Sequence, residues 1–359
     1  MFTVRSFKRS SPSIFDALGD FLTGVANWRL GFLNARWQGS ADGACEMNGF
    51  ISRQRTASCP VLISVMNRRE SLTALSGGAA TAAVFSALGA QVKAAEEDAA
   101  KAGAEFKHSV CHWCFGNIPL DQFCVEVKKM GIESIEILFP NQWETVAKHG
   151  LECAMGRPRP IKGIGGIGTS FEKKENHDTL VKIYEEIIPL AAKAGNVPQV
   201  IAFSGNRRGL TDEEGLKNCA EGVKRIMPIA EKHNITISME LLNSKKDHRD
   251  YLCDRTQWGA DLVKEVGSER FKLLYDIYHM QIMEGDCIAT FSKHIDAISH
   301  FHTAGVPGRN EIDDTQELNY VGICKALAKL GYKGYLGQEF RPKNDPLTSL
   351  KQAIDICTV

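Results

Sequence analysis

The chain has no surplus charge of either sign: 43 basic side chains meet 43 acidic ones, and the formal net charge is zero. That removes the electrostatic argument for a nucleic-acid partner or an anionic membrane surface. Closely spaced cysteines are also scarce. Of 11 cysteines, only Cys111 and Cys114 stand near one another, and no second pair sits at zinc-finger spacing. A structural zinc site is therefore not expected. Long apolar runs are missing too. The least charged stretch, residues 71–91, is too polar and too Gly-rich for a stable membrane span. The glycines of residues 163–168 lack the Lys-Ser/Thr ending of a phosphate loop and fail the dinucleotide spacing, so they read as a flexible loop. What remains is a chain of 359 residues with 43% hydrophobic side chains, enough for a sizeable core.

Residues 1–65 show no sustained period of 3.6 or 2 and are expected to be irregular. From Met66 the character changes. Arg68-Arg69 precede a weakly hydrophobic stretch that ends in the small and apolar residues Val92-Lys93-Ala94. Residues 66–95 thus resemble a twin-arginine export signal, although Ser71 stands where that pattern prefers Phe. The plainer alternative is an Ala-rich amphipathic helix. An export signal belongs at the start of a chain, so one explanation is that Met66 is the true start; export to the periplasm then follows. Otherwise the many thiols favour a reducing, cytoplasmic setting. N-terminal sequencing of the native protein separates the two. Residues 96–106 read as a polar linker.

From residue 107 to 359, apolar strand-like runs alternate with amphipathic stretches. Strands are expected at residues 108–113, 134–139, 151–155, 199–203, 235–241, 271–277, 297–302 and 335–340. Helices are expected at 119–130, 143–149, 177–194, 212–233, 257–266, 285–293, 321–330 and 346–357. Eight such units in about 250 residues match a (β/α)8 TIM barrel, though alternation alone also allows an open doubly wound sheet.

The polar residues at the strand ends favour the barrel. Buried parallel strands should read as nearly continuous apolar runs. Four runs instead end on Glu240, Asp276, His302 and Glu339, with separations of 36, 26 and 37 residues. In a closed barrel these ends are neighbours on one rim. Three carboxylates and an imidazole converging there repel one another unless a cation sits between them. The donor set suits Mn2+, Mg2+ or Co2+, and Zn2+ also fits.

The segments Met239-Glu240-Leu241-Leu242-Asn243-Ser244, Tyr275-Asp276-Ile277-Tyr278-His279-Met280-Gln281, Ala304-Gly305-Val306-Pro307-Gly308-Arg309 and Gly337-Gln338-Glu339-Phe340 resemble the hydroxypyruvate isomerase family. That family belongs to the xylose isomerase-like TIM barrels, which also include sugar epimerases and endonuclease IV. The resemblance covers roughly residues 107–358. It implies that Glu240 and Glu339 bind metal and exchange protons with substrate, and that Asp276 is a metal ligand. It further implies that His279 and Arg309 approach substrate oxygens. His302 stands where hydroxypyruvate isomerases usually have Gln and ketose epimerases have His, and the opening around Cys111-His112-Trp113 also departs from the bacterial isomerases. These departures put the substrate, not the metal site, in question.

Moving a proton between adjacent carbons needs a base, an acid and something to hold the enediolate oxygens; two carboxylates on opposite sides of a metal meet that need. The expected activity is therefore a metal-dependent, hydroxypyruvate isomerase-like aldose–ketose isomerisation, with ketose or keto-sugar 3-epimerisation as the alternative. Asn243 is expected near the substrate as a partner one helical turn beyond Glu240. An abasic-site endonuclease needs more His and carboxylate ligands and a basic rim; a non-catalytic sugar-binding barrel has no use for the glutamate pair. The partner is thus a small sugar-like molecule, with homodimer formation left open. Cys111 and Cys114 are either a redox pair or two packed pocket-wall thiols. Arg207-Arg208 either meets an anionic substrate or is solvated. Glu136 either lines the pocket or serves structure. His300 is expected to face out of the barrel.

Overall fold

The computed structural model describes residues 104–359. The irregular extension, the export-like segment and residues 96–103 of the linker lie outside the described residues. Seven parallel strands form one curled sheet: β1 Lys107–Cys111, β2 Ser134–Glu136, β3 Gln199–Ala202, β4 Thr236–Glu240, β5 Phe271–Asp276, β6 Ile298–Thr303 and β7 Tyr335–Gln338, in the order β2-β1-β7-β6-β5-β4-β3. The pairing of β1 with β7 brings the two ends of the chain's strand series together. The wall closes through residues 152–156, which bridge β2 at Ser134, meet Leu138 just beyond it and reach β3 at Val200.

The third strand was expected at residues 151–155, and this segment does fill its place without forming a continuous ladder. Ile135 donates to the Glu152 carbonyl and Ile137 to that of Met155, so a step of two residues on one side faces a step of three on the other. This uneven step breaks regular pairing, although the bridges on either side, Ser134 with Glu152 and Leu138 with Gly156, keep one register. Ile137, with φ of 59°, leaves the extended region and ends β2 at the same point.

Helices cover the outside of the sheet: α1 Leu120–Lys129, α2 Pro140–Lys148, α3 His177–Ala194, α4 Asp212–Lys224, α5 Met227–His233, α6 Thr256–Val266, α7 Ile277–Met283, α8 Cys287–Lys293, α9 Tyr320–Lys329 and α10 Pro346–Cys357. The helix expected over 212–233 is two helices. Thr211 and Glu214 form a reciprocal capping box at its start. Pro228 sits in the first turn of α5, where a missing N–H costs nothing. The extra helix α7 follows β5 directly, because the Asp276 side chain accepts from the His279 N–H at 3.2 Å and caps it. Among the described residues, no helix is long and apolar enough to cross a membrane.

Candidate metal and catalytic site

The curl of the sheet places the four strand-end residues side by side. Asp276 pairs in register with His302, and His302 with Gly337, two residues before Glu339. Glu240 closes β4 beside Leu274. One ligand atom from each of Glu240, Asp276, His302 and Glu339 lies within 4.8 Å of the others, and all four residues are buried. His302 Nδ1 is 2.9 Å from Glu339 Oε2 and 3.7 Å from Glu240 Oε1. It has no hydrogen-bond partner despite complete burial. Such an orphaned nitrogen among three carboxylates fits a hard or borderline divalent cation.

The carboxylates are not equivalent. Burial works against charge on Glu339, but Arg309 and His302 reverse this and hold its carboxyl well below the usual range. Its Oε1 accepts from Trp113 Nε1 at 2.8 Å and its Oε2 from Arg309 Nη2 at 2.6 Å. Glu240 is pushed up by burial and by the charge of Glu339. Asp276 is pushed up to about 7, chiefly by burial and against the pull of Arg309, whose Nη2 lies 3.0 Å from its Oδ2. His302 is raised well above its ordinary range: burial opposes the charge, and neighbouring Cys111, Glu339 and Glu136 outweigh it.

His279 and Asn243 form a unit. The Asn243 side-chain oxygen accepts from the backbone of Lys246 at 3.1 Å and Asp247 at 2.8 Å, which fixes the amide's orientation. Its Nδ2 and its backbone N–H then both point at His279 Nδ1, at 2.7 and 3.2 Å. Nδ1 must accept, so the ring proton sits on Nε2. That Nε2–H is buried without a hydrogen-bond partner, 3.6 Å from Asp276 Oδ2. Burial and the charge of Arg309 keep the imidazole well below its usual range, hence neutral. Asn243 stands in a loop rather than on a helix, and it touches His279, not Glu240. It orients a donor instead of forming part of the cavity wall.

Beneath the quartet lies a cluster that sequence reasoning left unassigned. Glu136 is fully buried, with Oε2 2.7 Å from His300 Nε2 and Oε1 3.6 Å from His302 Nε2. Its carboxyl is held at about 2, because His300 and His302 overcome the penalty of burial. The expectation that His300 faces outward is wrong. Residues two apart on a strand share a face, so His300 and His302 both point inward, with ring centroids 5.1 Å apart. That period-two rule, applied to Ser299-His300-Phe301-His302, was the available signal. Cys111 is buried with Sγ 3.7 Å from His302 Nε2, Cys114 is half-buried, and both are free thiols. Burial pushes both thiols well above their usual range, which suits packing in the site wall rather than thiolate chemistry. Arg207 and Arg208 are spent on Asp212, Asp254 and Glu172.

Above the quartet is a cavity of about 190 Å3 whose wall includes Glu240, Glu339, Trp113, His248 and Arg309. Arg309 is nearly buried, and its guanidinium lies 5.5 Å from the Trp113 ring centre and 5.3 Å from that of Tyr278.

Comparison with known proteins gives the site its context. The model of the xylose isomerase-like TIM barrel matches residues 124–358. The 2-oxo-tetronate isomerase of Cupriavidus necator is 38% identical over 208 residues, which are 57% of this chain and 70% of that protein. The hydroxypyruvate isomerase of Escherichia coli is 29% identical over 143 residues, 40% of this chain and 55% of that protein. The chain therefore spans only about half the length of that relative. A solved structure described as an AP endonuclease, family 2, from Brucella melitensis superposes with a TM-score of 0.61 at 25% identity, covering 69% of this chain and 96% of that one. The D-psicose 3-epimerase of Clostridium cellulolyticum superposes with a TM-score of 0.55 at 16% identity, covering 70% and 90%, which shows the shared fold. The isomerase class expected from the sequence is the class of the two curated relatives. With strands, site and family model in agreement, the chain belongs to the xylose isomerase-like TIM barrels.

Proposed function

We propose that this protein isomerises a small hydroxy-carbonyl compound by moving a proton between adjacent carbons through a cis-enediolate. The observation that carries this reading is the convergence of Glu240 and Glu339 with Asp276 and His302, all buried at one end of the barrel and within 4.8 Å of one another. These four residues would hold a divalent ion, with Mn2+, Mg2+ or Co2+ favoured by the oxygen-rich set. When bound, such an ion supplies Lewis-acid polarisation of the carbonyl and charge stabilisation for the enediolate.

The chain's own groups divide the remaining work. Glu240 is the better-matched proton carrier: burial raises its pKa toward the working range, against the pull of His302, whose Nδ1 lies 3.7 Å from its Oε1. Glu339 enters ionised, held by hydrogen bonds from Trp113 and Arg309 and facing His302, and serves the other carbon. His279 Nε2–H is a neutral donor for a substrate oxygen, fixed by Asn243. Arg309 balances the negative charge gathered at Asp276 and Glu339.

Epimerisation at one carbon is the second reading, favoured by His302 at the position where ketose epimerases carry His. An endonuclease is less well supported. Among the described residues, the three groups able to hold a metal all share His302, so they make one locus rather than a spread multinuclear site.

The test is a panel of three- to six-carbon hydroxy-carbonyl compounds with Mn2+, Mg2+ and Co2+, run on wild type, Glu240→Gln and Glu339→Gln. Each substitution should lower turnover at least 100-fold, the scale of a lost acid–base group. Unchanged turnover in either would end the mechanism.

A further inference from the structure

The glutamate pair accounts for the carbon proton, but isomerisation also moves a proton between two oxygens. The hydroxyl must lose its proton to become the new carbonyl, and the old carbonyl oxygen must gain one. Nothing in the division of work above carries that proton. His279 does not: its Nδ1 lone pair already accepts from Asn243, and its Nε2–H only donates. Arginine stays protonated throughout. Among the residues lining the cavity, only Glu240, Glu339 and His248 then trade a proton near neutral pH.

His248 is placed for that task. Its N–H donates to the Asn243 carbonyl at 3.0 Å, and its own carbonyl accepts from the Tyr251 N–H at 3.0 Å. Its ring packs against His279, with centroids 5.2 Å apart and planes at 58°. No hydrogen bond or ion pair from a described residue occupies the ring nitrogens. The charged neighbours are spent elsewhere: Asp247 accepts from Asn243 and from Tyr278, both at 2.8 Å, and Arg309 is bonded to Asp276 and Glu339. Burial and the charge of Arg309 lower the imidazole's pKa, against the pull of Asp247 and Glu339. The ring is therefore neutral, with one accepting and one donating nitrogen. It is half-buried, and besides the reaction cavity it lines a second one of about 390 Å3 that reaches the exposed residues Lys246, Asp247 and Gly308.

We infer that His248 is a further catalytic residue, the carrier of the oxygen-bound proton during isomerisation. This inference rests on the reading of the site as an isomerase and supplies the step which that reading leaves unassigned. As the carbon proton leaves to the glutamate pair, the C–H electrons form the carbon–carbon double bond and the carbonyl pair moves onto its oxygen. The hydroxyl then gives its proton to His248. Its O–H electrons close the new carbonyl, and the double-bond pair takes the proton from the glutamates at the neighbouring carbon. The imidazolium returns its proton to the other oxygen. One carbon proton and one oxygen proton have changed place, and no electrons leave the substrate. Return of the enediolate to substrate needs no such relay, and neither does epimerisation, because in both the hydroxyl proton stays where it was.

That difference separates the relay from the carbon chemistry. Mn2+-loaded protein is given hydroxypyruvate in D2O, and NMR follows two rates: deuterium entering the substrate's own CH2 group, corrected for the rate without protein, and net isomerisation. His248→Gln should slow net isomerisation at least about 100-fold, the scale of a lost acid–base group. It should still exchange the CH2 group at a rate within a few-fold of wild-type turnover. His248→Ala should behave likewise, and free imidazole should restore its isomerisation in proportion to concentration while leaving wild type unchanged. Wild-type isomerisation in His248→Gln overturns the inference and leaves the isomerase reading standing. So does an equal loss of exchange and isomerisation in both variants with no rescue by imidazole, which is the mark of a structural role. A wild type that isomerises none of the hydroxy-carbonyl panel overturns both.

Discussion

Replacing Glu136 by Gln tests whether the buried cluster beneath the quartet matters to the metal. Glu136 does not reach the quartet's centre. It faces the back of His302, with Oε1 3.6 Å from Nε2, while Nδ1 faces Glu339 and Glu240. A carboxylate behind a ligating imidazole fixes its tautomer and raises its basicity, and removing such a partner typically costs 10- to 100-fold in metal affinity. The separation of 3.6 Å exceeds that of an ordinary hydrogen bond, about 2.7–3.2 Å, which places the effect in the lower half of that range. The expectation is a 10- to 30-fold weaker Mn2+ affinity, or about 1.4–2 kcal/mol. The near-isosteric amide keeps the volume at a site with no accessible surface. His300, 2.7 Å from the same carboxylate, loses a charged neighbour, so unfolding free energy should also fall by about 1–3 kcal/mol. Calorimetric titration of chelator-stripped protein with Mn2+ measures the first effect and urea denaturation the second. A folded Glu136→Gln protein with the wild-type Mn2+ affinity would refute the role given to the cluster.

Three further expectations follow from the same contacts. Asn243→Asp keeps the acceptor for the Lys246 and Asp247 N–H groups but turns the donor facing His279 Nδ1 into an acceptor. The ring proton should shift toward Nδ1, kcat/KM should fall about 10- to 100-fold, and nitrogen NMR of His279 should show the change of tautomer; wild-type kinetics would contradict the assignment. Gly337→Ala would drive a Cβ into Glu136 Oε1 and to 2.9 Å from His302 Cδ2, so denaturant unfolding should show a loss of about 1–3 kcal/mol. Glu311 anchors the segment after β7 by accepting from the N–H groups of Lys343 at 2.6 Å and Asn344 at 2.8 Å, and these bonds overcome burial to hold its carboxyl below the usual range. A depressed folded-state pKa contributes stability that is fully present above the unfolded value of about 4.3 and is lost as pH falls through the lower folded value. Glu311→Gln should therefore be the less stable protein at neutral pH, and its deficit should shrink on acidification below about pH 4; a deficit constant with pH would contradict this.

The late strands were the most legible part of the sequence. Glu240, Asp276, His302 and Glu339 each interrupt or end an apolar run where burial forbids an unpaired charge, so position alone pointed to a shared rim. The early strands were harder to read. Residues 151–155 carry a strand's composition, but the uneven hydrogen-bond steps opposite Ile135–Ile137 are a backbone matter that no side-chain pattern records. Helix α7 was missed because the apolar run of β5 passes into Ile277 without a break, and the signal that ends it is a cap made by Asp276, itself a site residue. Glu136 shows a different limit. It gains its meaning from His300 and His302, more than 160 residues away. Asn243 was legible as a neighbour of the site, yet its job depends on which way its amide faces.

The most direct measurement is solvent-deuterium incorporation during turnover of hydroxypyruvate by chelator-treated protein, before and after Mn2+ is restored. The proposed mechanism predicts no exchange in the stripped protein, and recovery of exchange and turnover together in wild type but not in Glu240→Gln. Exchange and turnover at full rate in the stripped protein, or an undiminished rate in Glu240→Gln, would contradict it.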